Sequence, residues 1–220
     1  MTDGIVTYGY ALSHFERNLP AFRPLVAFDF DGTLTCRDSF LDFLAWRAGS
    51  ARYARGLARL APAALSYLSH QHRGLLKAAM VAEFLKGLSR KDLEEAAARY
   101  AAQMSPRLLR PDALRCWRRW QGQGARLVIV TASPETLVAP FAHGLGAERL
   151  IGTRLAFDAA DRVAGGFEGP NCRGPEKVVR LKAAFGDDLR LEAAYGDSAG
   201  DREMLAIAGE AGLRVFSEKP

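Results

Sequence analysis

Carboxylates, one lysine and hydroxyl residues stand where three short apolar runs end. The run Leu25–Phe30 closes on Asp29-Phe-Asp31-Gly-Thr33, and Arg126–Thr131 closes on Thr131-Ala132-Ser133. Leu191–Tyr195 leads into Gly196-Asp197-Ser198-Ala-Gly-Asp201, and Lys177 opens the helical stretch before it. In an open α/β sheet ligands gather beyond the carboxyl ends of the strands, so these groups are expected at one edge. Four carboxylates brought together repel, and their burial is costly unless a cation neutralises them. Donors that are all oxygen select a hard ion, and an open site shared with phosphate selects magnesium. A lysine and backbone N–H groups beside that ion would cradle a phosphoryl group. An aspartate can also attack phosphorus and form an aspartyl-phosphate.

A second motif competes. Gly196-Asp-Ser198-Ala-Gly200 matches G-x-S-x-G, the turn that exposes a serine nucleophile between a strand and a helix. That chemistry needs an acid and then a histidine later in the chain, and no histidine follows His143. The serine-hydrolase reading therefore fails on order. His14, His70, His72 and His143 show no metal-ligand spacing, and neither a P-loop nor G-x-G-x-x-G is present.

The elements that must position these residues alternate. After the first strand, helical patterns occupy Phe40–Trp46, Leu57–Leu68 with a break near Pro62, Leu75–Leu88 and Lys91–Met104. Ser89 followed by Asp92 reads as the cap of the last of these. Strands return at Arg126–Thr131, Leu191–Tyr195 and Gly212–Phe216, separated by helices at Pro111–Gly122, Pro134–Gly144, Pro175–Phe185 and Asp201–Ala208. Two short apolar runs around Asp158-Ala-Ala-Asp161 predict a hairpin between Ile151 and Phe167. The expected fold is α/β: a three-layer, Rossmann-like parallel sheet with a helical cap inserted after the first strand. Residues 1–24 form an extension, 25–36 and 110–220 the catalytic core, and 37–109 the cap.

Composition narrows the class. The 220 residues are 49% hydrophobic and 25% charged, a globular balance, and the three cysteines (Cys36, Cys116, Cys172) have no scaffold spacing. No apolar run spans a bilayer and no secretory leader is visible, so a cytoplasmic protein is expected. Residues 36–110 hold 13 Lys/Arg against 6 Asp/Glu, and no acid occurs from Phe43 to Ala82. That charge permits a basic nucleic-acid-binding module, but no recognised motif supports one, and no nucleic-acid partner is expected. Oligomeric state is left open.

Asp29-x-Asp31-Gly-Thr-Leu-Thr35, Thr131, Lys177 and Gly196-Asp197-Ser-x-x-Asp201 resemble, in order, strand context and spacing, the four motifs of the haloacid dehalogenase superfamily. The helical insert after the first motif resembles the cap of its phosphoserine-phosphatase-like subgroup. The resemblance implies a phosphoric monoester hydrolase in which Asp29 is the nucleophile and Asp31 the general acid and base. It places Thr131 and Lys177 on phosphoryl oxygens, with the N–H groups after Asp29 and Ala132 (that of Ser133) assisting. It implies Mg2+ held by Asp29, the main chain of Asp31 and Asp197, with Asp201 as a ligand or support.

The same resemblance bears on substrate. Asp38 stands nine residues after the nucleophile, where phosphoserine phosphatases carry a glutamate for the substrate ammonium. In Val81-Ala-Glu-Phe-Leu-Lys-Gly-Leu88, Val81 stands where those enzymes hold the substrate carboxylate with arginine, so phosphoserine is not the expected substrate. A small phosphorylated metabolite is expected instead. The alternative is a peripheral lipid phosphatase of the phosphatidylglycerophosphate type, because Gly169-Pro-Asn-Cys-Arg-Gly-Pro-Glu-Lys177 resembles such an enzyme. Arg52, Arg55 and Arg59 beside Leu57, Leu60, Ala61, Ala64, Leu65 and Leu68 would then meet an anionic membrane surface.

Overall fold

A computed structural model describes residues 23–68 and 73–220, with side chains described at all of these except 62–68 and 73–75. Strands β1 (Leu25–Phe28), β2 (Arg126–Pro134), β3 (Arg149–Phe157), β4 (Val163–Glu168), β5 (Leu191–Gly196) and β6 (Ala208–Leu213) form one sheet. Their order is β4-β3-β2-β1-β5-β6, parallel throughout except for the antiparallel β3–β4 hairpin. β1 lies at the centre, paired with β2 through Phe28↔Ile129 and with β5 through Phe28↔Tyr195.

The central strands are apolar on both faces, as a sheet covered by helices requires. Val26, Phe28, Leu127 and Ile129 face one core, while Ala27, Val128, Val130 and Ala194 face the other. Helices α5 (Pro111–Gly122) and α6 (Glu135–Leu145) cover the first face with Trp117, Trp120, Leu137 and Phe141. α7 (Pro175–Phe185) and α8 (Arg202–Ala206) cover the second with Leu181, Met204 and Leu205. The expected three layers are present.

Between β1 and β2 the chain forms α1 (Ser39–Ala48), α2 (Ser50–Leu68), α3 (Arg73–Phe84) and α4 (Arg90–Leu108). The chain leaves and re-enters the sheet through a bridge between Thr35 and Leu109, with Cys36 N donating to Leu108 O at 2.8 Å. A second tether joins Ser89 to Arg162 at the β3–β4 turn. The insert has no separate core: Phe40, Phe43, Val81, Leu93 and Tyr100 belong to the same buried cluster as Val26 and Phe28. Arg37 forks Asp42 at 2.9 and 3.2 Å, and the Tyr100 hydroxyl donates to Asp42 at 2.8 Å, fixing the start of α1 against α4. Ser89 caps α4 by accepting from Asp92 N at 3.1 Å, as its spacing predicts.

Several boundaries differ from expectation. α2 begins at Ser50 and continues through Pro62 without a break. The last strand lies at Ala208–Leu213 instead of Gly212–Phe216, because pairing with β5 starts at Leu191↔Ala208 and α8 stops at Ala206. β3 is more than half of a hairpin: it extends the main sheet beside β2. Residues 1–22 of the expected extension lie outside the described residues.

Candidate active site

β1 delivers Asp29 to the sheet edge, where its backbone N–H still bonds Tyr195 O at 2.8 Å. Its carboxylate accepts from Lys177 Nζ at 2.6 Å and from Thr33 Oγ1 at 3.2 Å. Burial pushes the Asp29 carboxyl up to about 7, against the pull of the Lys177 ammonium. Lys177, the third residue of α7, is 1% exposed and gives all three of its protons to protein acceptors. They are Asp29 Oδ1, Asp201 Oδ1 and Val130 O, each at 2.6 Å. Burial opposes the charged lysine, but the two carboxylates outweigh it and hold the ammonium above its ordinary value.

Asp201 is fully committed. Oδ1 takes Lys177, and Oδ2 takes Ser198 N and Ser198 Oγ, both at 2.9 Å. Burial disfavours its charge, yet Lys177 and Ser198 outweigh that and hold the carboxyl below the usual range. Ser198 therefore closes a turn; its bonds among the described residues run to Asp201 and Gly200, as the failed serine-hydrolase reading requires. Asp197 differs: burial, then Asp201, raises its carboxyl, and no cation lies within 4.0 Å of it among the described residues. It faces Gly32, whose φ of +81° is left-handed and where a Cβ would collide with the Asp197 carboxylate. Glycine is required there twice over.

Asp29, Asp197 and Asp201 offer carboxylate oxygens within 4.8 Å of one another. An all-oxygen donor set with one carboxylate lacking a cation fits a hard divalent ion such as magnesium. The Asp31 carboxylate lies outside this trio. It accepts from Ser39 N at 2.7 Å and from Ser133 Oγ.

Thr131 is buried at the end of the β2 core run and lines the cleft with Ala132. The Ser133 N–H, expected on a phosphoryl oxygen, donates to Thr131 Oγ1 at 3.0 Å. Ser133 instead reaches the site through its hydroxyl on Asp31. Asp38 caps α1 by accepting from Leu41 N at 2.9 Å, while also lining the cleft opposite Lys77 of α3. Burial and then Asp31 raise its carboxyl, against Lys77. Val81, one turn beyond Lys77, is fully buried.

Asp29, Asp31, Asp38, Thr131, Ala132, Lys177, Asp197 and Asp201 line one cleft of about 680 Å³, whereas Thr33, Val81 and Ser133 stand behind its lining. Sequence reading missed Thr33, which orients Asp29, although it sits inside the Asp-x-Asp-Gly-Thr string. It also missed Arg110, Arg173, Arg214 and Lys219, which line the cleft. Arg173 lies within the string before Lys177, whereas nothing local marks Arg214. On the cap, Arg52 pairs with Glu83 at 2.6 Å and Arg59 with the same carboxylate at 3.3 Å. Ala64, Leu65 and Leu68 of the expected apolar face have side chains outside those described. No helix of the described residues is long and apolar enough to cross a membrane.

Comparison with known proteins agrees with this geometry. The haloacid dehalogenase-like hydrolase family model matches residues 26–206. The chain is 57% identical over 196 residues to protein CicA of Caulobacter vibrioides, covering 89% of this chain and 88% of that one. It is 34% identical over 193 residues to a phosphoserine phosphatase of Halobacterium salinarum, covering 85% and 83%. Among solved structures it is similar to a protein of unknown function from Bordetella pertussis Tohama I. That likeness has a TM-score of 0.69 at 26% identity, over 84% of this chain and 87% of that one. With Asp29 at the end of β1, the buried lysine and the paired aspartates on one sheet edge, this chain belongs to the haloacid dehalogenase-like hydrolases, in the branch that includes the phosphoserine phosphatases.

Proposed function

We propose that this hydrolase cleaves a phosphomonoester with magnesium, through a phosphoryl group carried on Asp29, and that its substrate is a small phosphorylated metabolite. The observation that carries the reading is the Asp29–Lys177–Asp201 ion cluster, buried and beside an unpaired Asp197. Asp29, Asp197, Asp201 and the main chain of Asp31 would hold the ion. When bound, magnesium supplies charge neutralisation for the carboxylates and for the developing phosphoryl charge.

The chain's own residues then account for each step. Thr33 and Lys177 hold the Asp29 carboxylate, so an oxygen faces the cleft in a restricted orientation. That oxygen bonds to phosphorus as the ester P–O bond breaks, and the leaving oxygen takes the proton of the Asp31 carboxyl. Water then attacks the phosphoaspartyl phosphorus and passes a proton to Asp31, which releases phosphate and restores Asp29. Ser39 N and Ser133 Oγ fix Asp31 for both transfers. Thr131 and Lys177 stabilise the transferring oxygens; Lys177 would exchange one of its three protein bonds to do so. The cap forms part of the cleft wall through Asp38 and Lys77.

Arg52 and Arg59 meet on Glu83 within the cap, which favours the metabolite over the membrane surface. The test is an acid quench of enzyme turning over p-nitrophenyl phosphate with magnesium, followed by mass spectrometry of the peptide containing Asp29. The expected result is a hydroxylamine-labile phosphoryl adduct there, absent in Asp29→Asn. Magnesium-dependent turnover with no adduct under rapid quench, and undiminished in Asp29→Asn, would remove the covalent route.

A further inference from the structure

Seven cationic side chains line the cleft. Lys177 is held between Asp29 and Asp201, and Arg37 is answered by Asp42. The other five are Lys77, Arg110, Arg173, Arg214 and Lys219, and none has a carboxylate within 4.0 Å among the described residues. Without Arg37, six cations face the five carboxylates of Asp29, Asp31, Asp38, Asp197 and Asp201. A divalent metal and a phosphomonoester dianion cancel each other, so the scissile group leaves this excess unanswered.

Two of the five are placed by the fold. Arg214, just past β6, holds a φ of +55°, a left-handed conformation that costs a non-glycine residue energy. Its N–H donates to Gly196 O at 2.8 Å and its Nε to Asp197 O at 2.6 Å, so the guanidinium is fastened to the loop carrying the metal-site aspartate. Its Nη groups make no hydrogen bond among the described residues. Arg173 sits at the other end of the same loop. A Cβ on Gly200 would lie 2.6 Å from both its Cζ and its Nη1, so the guanidinium packs directly against this glycine. Gly174 N donates to Gly200 O at 2.8 Å and locks the two segments together. The Arg173 side chain, too, has no hydrogen-bond partner among the described residues. Two guanidinium forks with free donors therefore bracket residues 196–201, and such forks match carboxylate and phosphate.

We propose that the substrate carries a second anionic group, a carboxylate, phosphate or phosphodiester, and that Arg173 and Arg214 bind it from the core side of the cleft. This rests on the phosphatase reading. A cleft of about 680 Å³ has room for a metabolite and not just for a phosphoryl group. It also moves specificity away from the cap helix, where Val81 is buried, to loops that follow β4 and β6.

The test compares kcat/KM, with the full chain and magnesium, across substrates that differ in their second charge. Glycerol 3-phosphate and p-nitrophenyl phosphate have none; 3-phosphoglycerate carries a carboxylate and fructose 1,6-bisphosphate a phosphate. Phosphatidylglycerophosphate in detergent micelles carries a phosphodiester on a lipid and separates a lipid source from a soluble one. At least one doubly anionic substrate should exceed glycerol 3-phosphate by about 10- to 100-fold, the worth of one or two charge-assisted bonds. In Arg173→Gln/Arg214→Gln that ratio should fall toward one, through KM more than kcat, and Arg173→Lys should restore it in part. A folding defect lowers both rates together and leaves the ratio unmoved. A wild-type ratio near one, or a ratio the double variant preserves, overturns the proposal while the phosphatase stands. No magnesium-dependent turnover even of p-nitrophenyl phosphate would overturn the underlying reading, and this proposal with it.

Discussion

Replacing Lys177 by methionine keeps most of the side chain's length and removes its charge from a buried cluster. The ammonium is 1% exposed, with Asp29 at 9% and Asp201 at 2%, so solvent screens little of the interaction. Removing one member of a buried ion cluster costs about 3–5 kcal/mol, chiefly because the remaining charges are left unanswered. Here two carboxylates and the Val130 carbonyl lose their donor together. With a urea dependence of about 2–3 kcal/mol per molar, the unfolding midpoint should fall by roughly 1–2 M at pH 8.

The sign of the pH dependence follows from the carboxyls. In the wild type Lys177 holds Asp201 below the ordinary range, so its contribution is present above the unfolded value near 3.8 and is lost only in stronger acid. Without Lys177, burial and the Asp29 carboxylate raise Asp201 instead. A carboxyl raised in the folded state favours folding below its unfolded value and withdraws that support as pH rises through the folded one. The gap between variant and wild type should therefore be narrow at pH 4–5 and widen toward pH 8. The raised Lys177 itself contributes fully below its unfolded value of 10.5, so it does not alter the comparison in this window. Magnesium should narrow the gap at pH 8, since it binds the folded carboxylates and not the unfolded chain. A penalty below about 1 kcal/mol at pH 8, or one constant from pH 5 to 8, would refute the claim that these three groups form one electrostatic unit.

Three further outcomes are expected. Asp29→Asn should lose at least about 10³-fold in kcat with its near-ultraviolet dichroism retained, because an amide cannot form the acyl-phosphate; residual turnover near wild type would exclude Asp29 as nucleophile. Chelator should abolish activity and magnesium restore it, with calcium a poor substitute because its looser coordination misplaces Asp29 for in-line attack; full activity in excess chelator would remove the metal site. Ser133→Ala should lower kcat by about 10-fold and shift the pH profile of kcat/KM, since Asp31 loses its hydroxyl donor; an unchanged profile would mean that Ser133 only supports the β2 turn.

The parts of this site legible in the sequence are those encoded within a few residues. Asp29, Asp31 and Thr33 share one turn, and Asp197 and Asp201 share another. A strand before each turn is enough to place them at the sheet edge. What Lys177 does there was not legible, because its partners come from three elements and one is the Val130 carbonyl, which has no sequence signature. The partner of the Ser133 amide is hidden for a similar reason: it donates to the Thr131 hydroxyl two residues away, a local bond that strand patterning does not reveal. Strand β6 was displaced because Gly209 and Gly212 weaken the apolar pattern, and register with β5 decided its place instead.

The same division explains why reaction class and substrate are so unequally visible. The reacting groups must meet within a few ångströms of one phosphorus atom, so they sit on the tightest segments of the chain, next to strands whose alternation is easy to read. Groups that recognise the rest of the substrate have no such restriction. Here basic side chains reach the cleft from α3, from the loop before α7 and from the chain after β6, as Lys77, Arg173 and Arg214 do. A single arginine in an arginine-rich chain carries no mark of its destination. Arg214 becomes conspicuous only once its left-handed backbone and its bond to Asp197 O are seen together. Strain of that kind persists only where the surrounding structure enforces it, and here Arg214 is tied to the Gly196 and Asp197 carbonyls. If Arg173 and Arg214 bind the substrate as proposed, specificity is built into contacts that hold the 196–201 loop in place, so substitutions that change one will disturb the other.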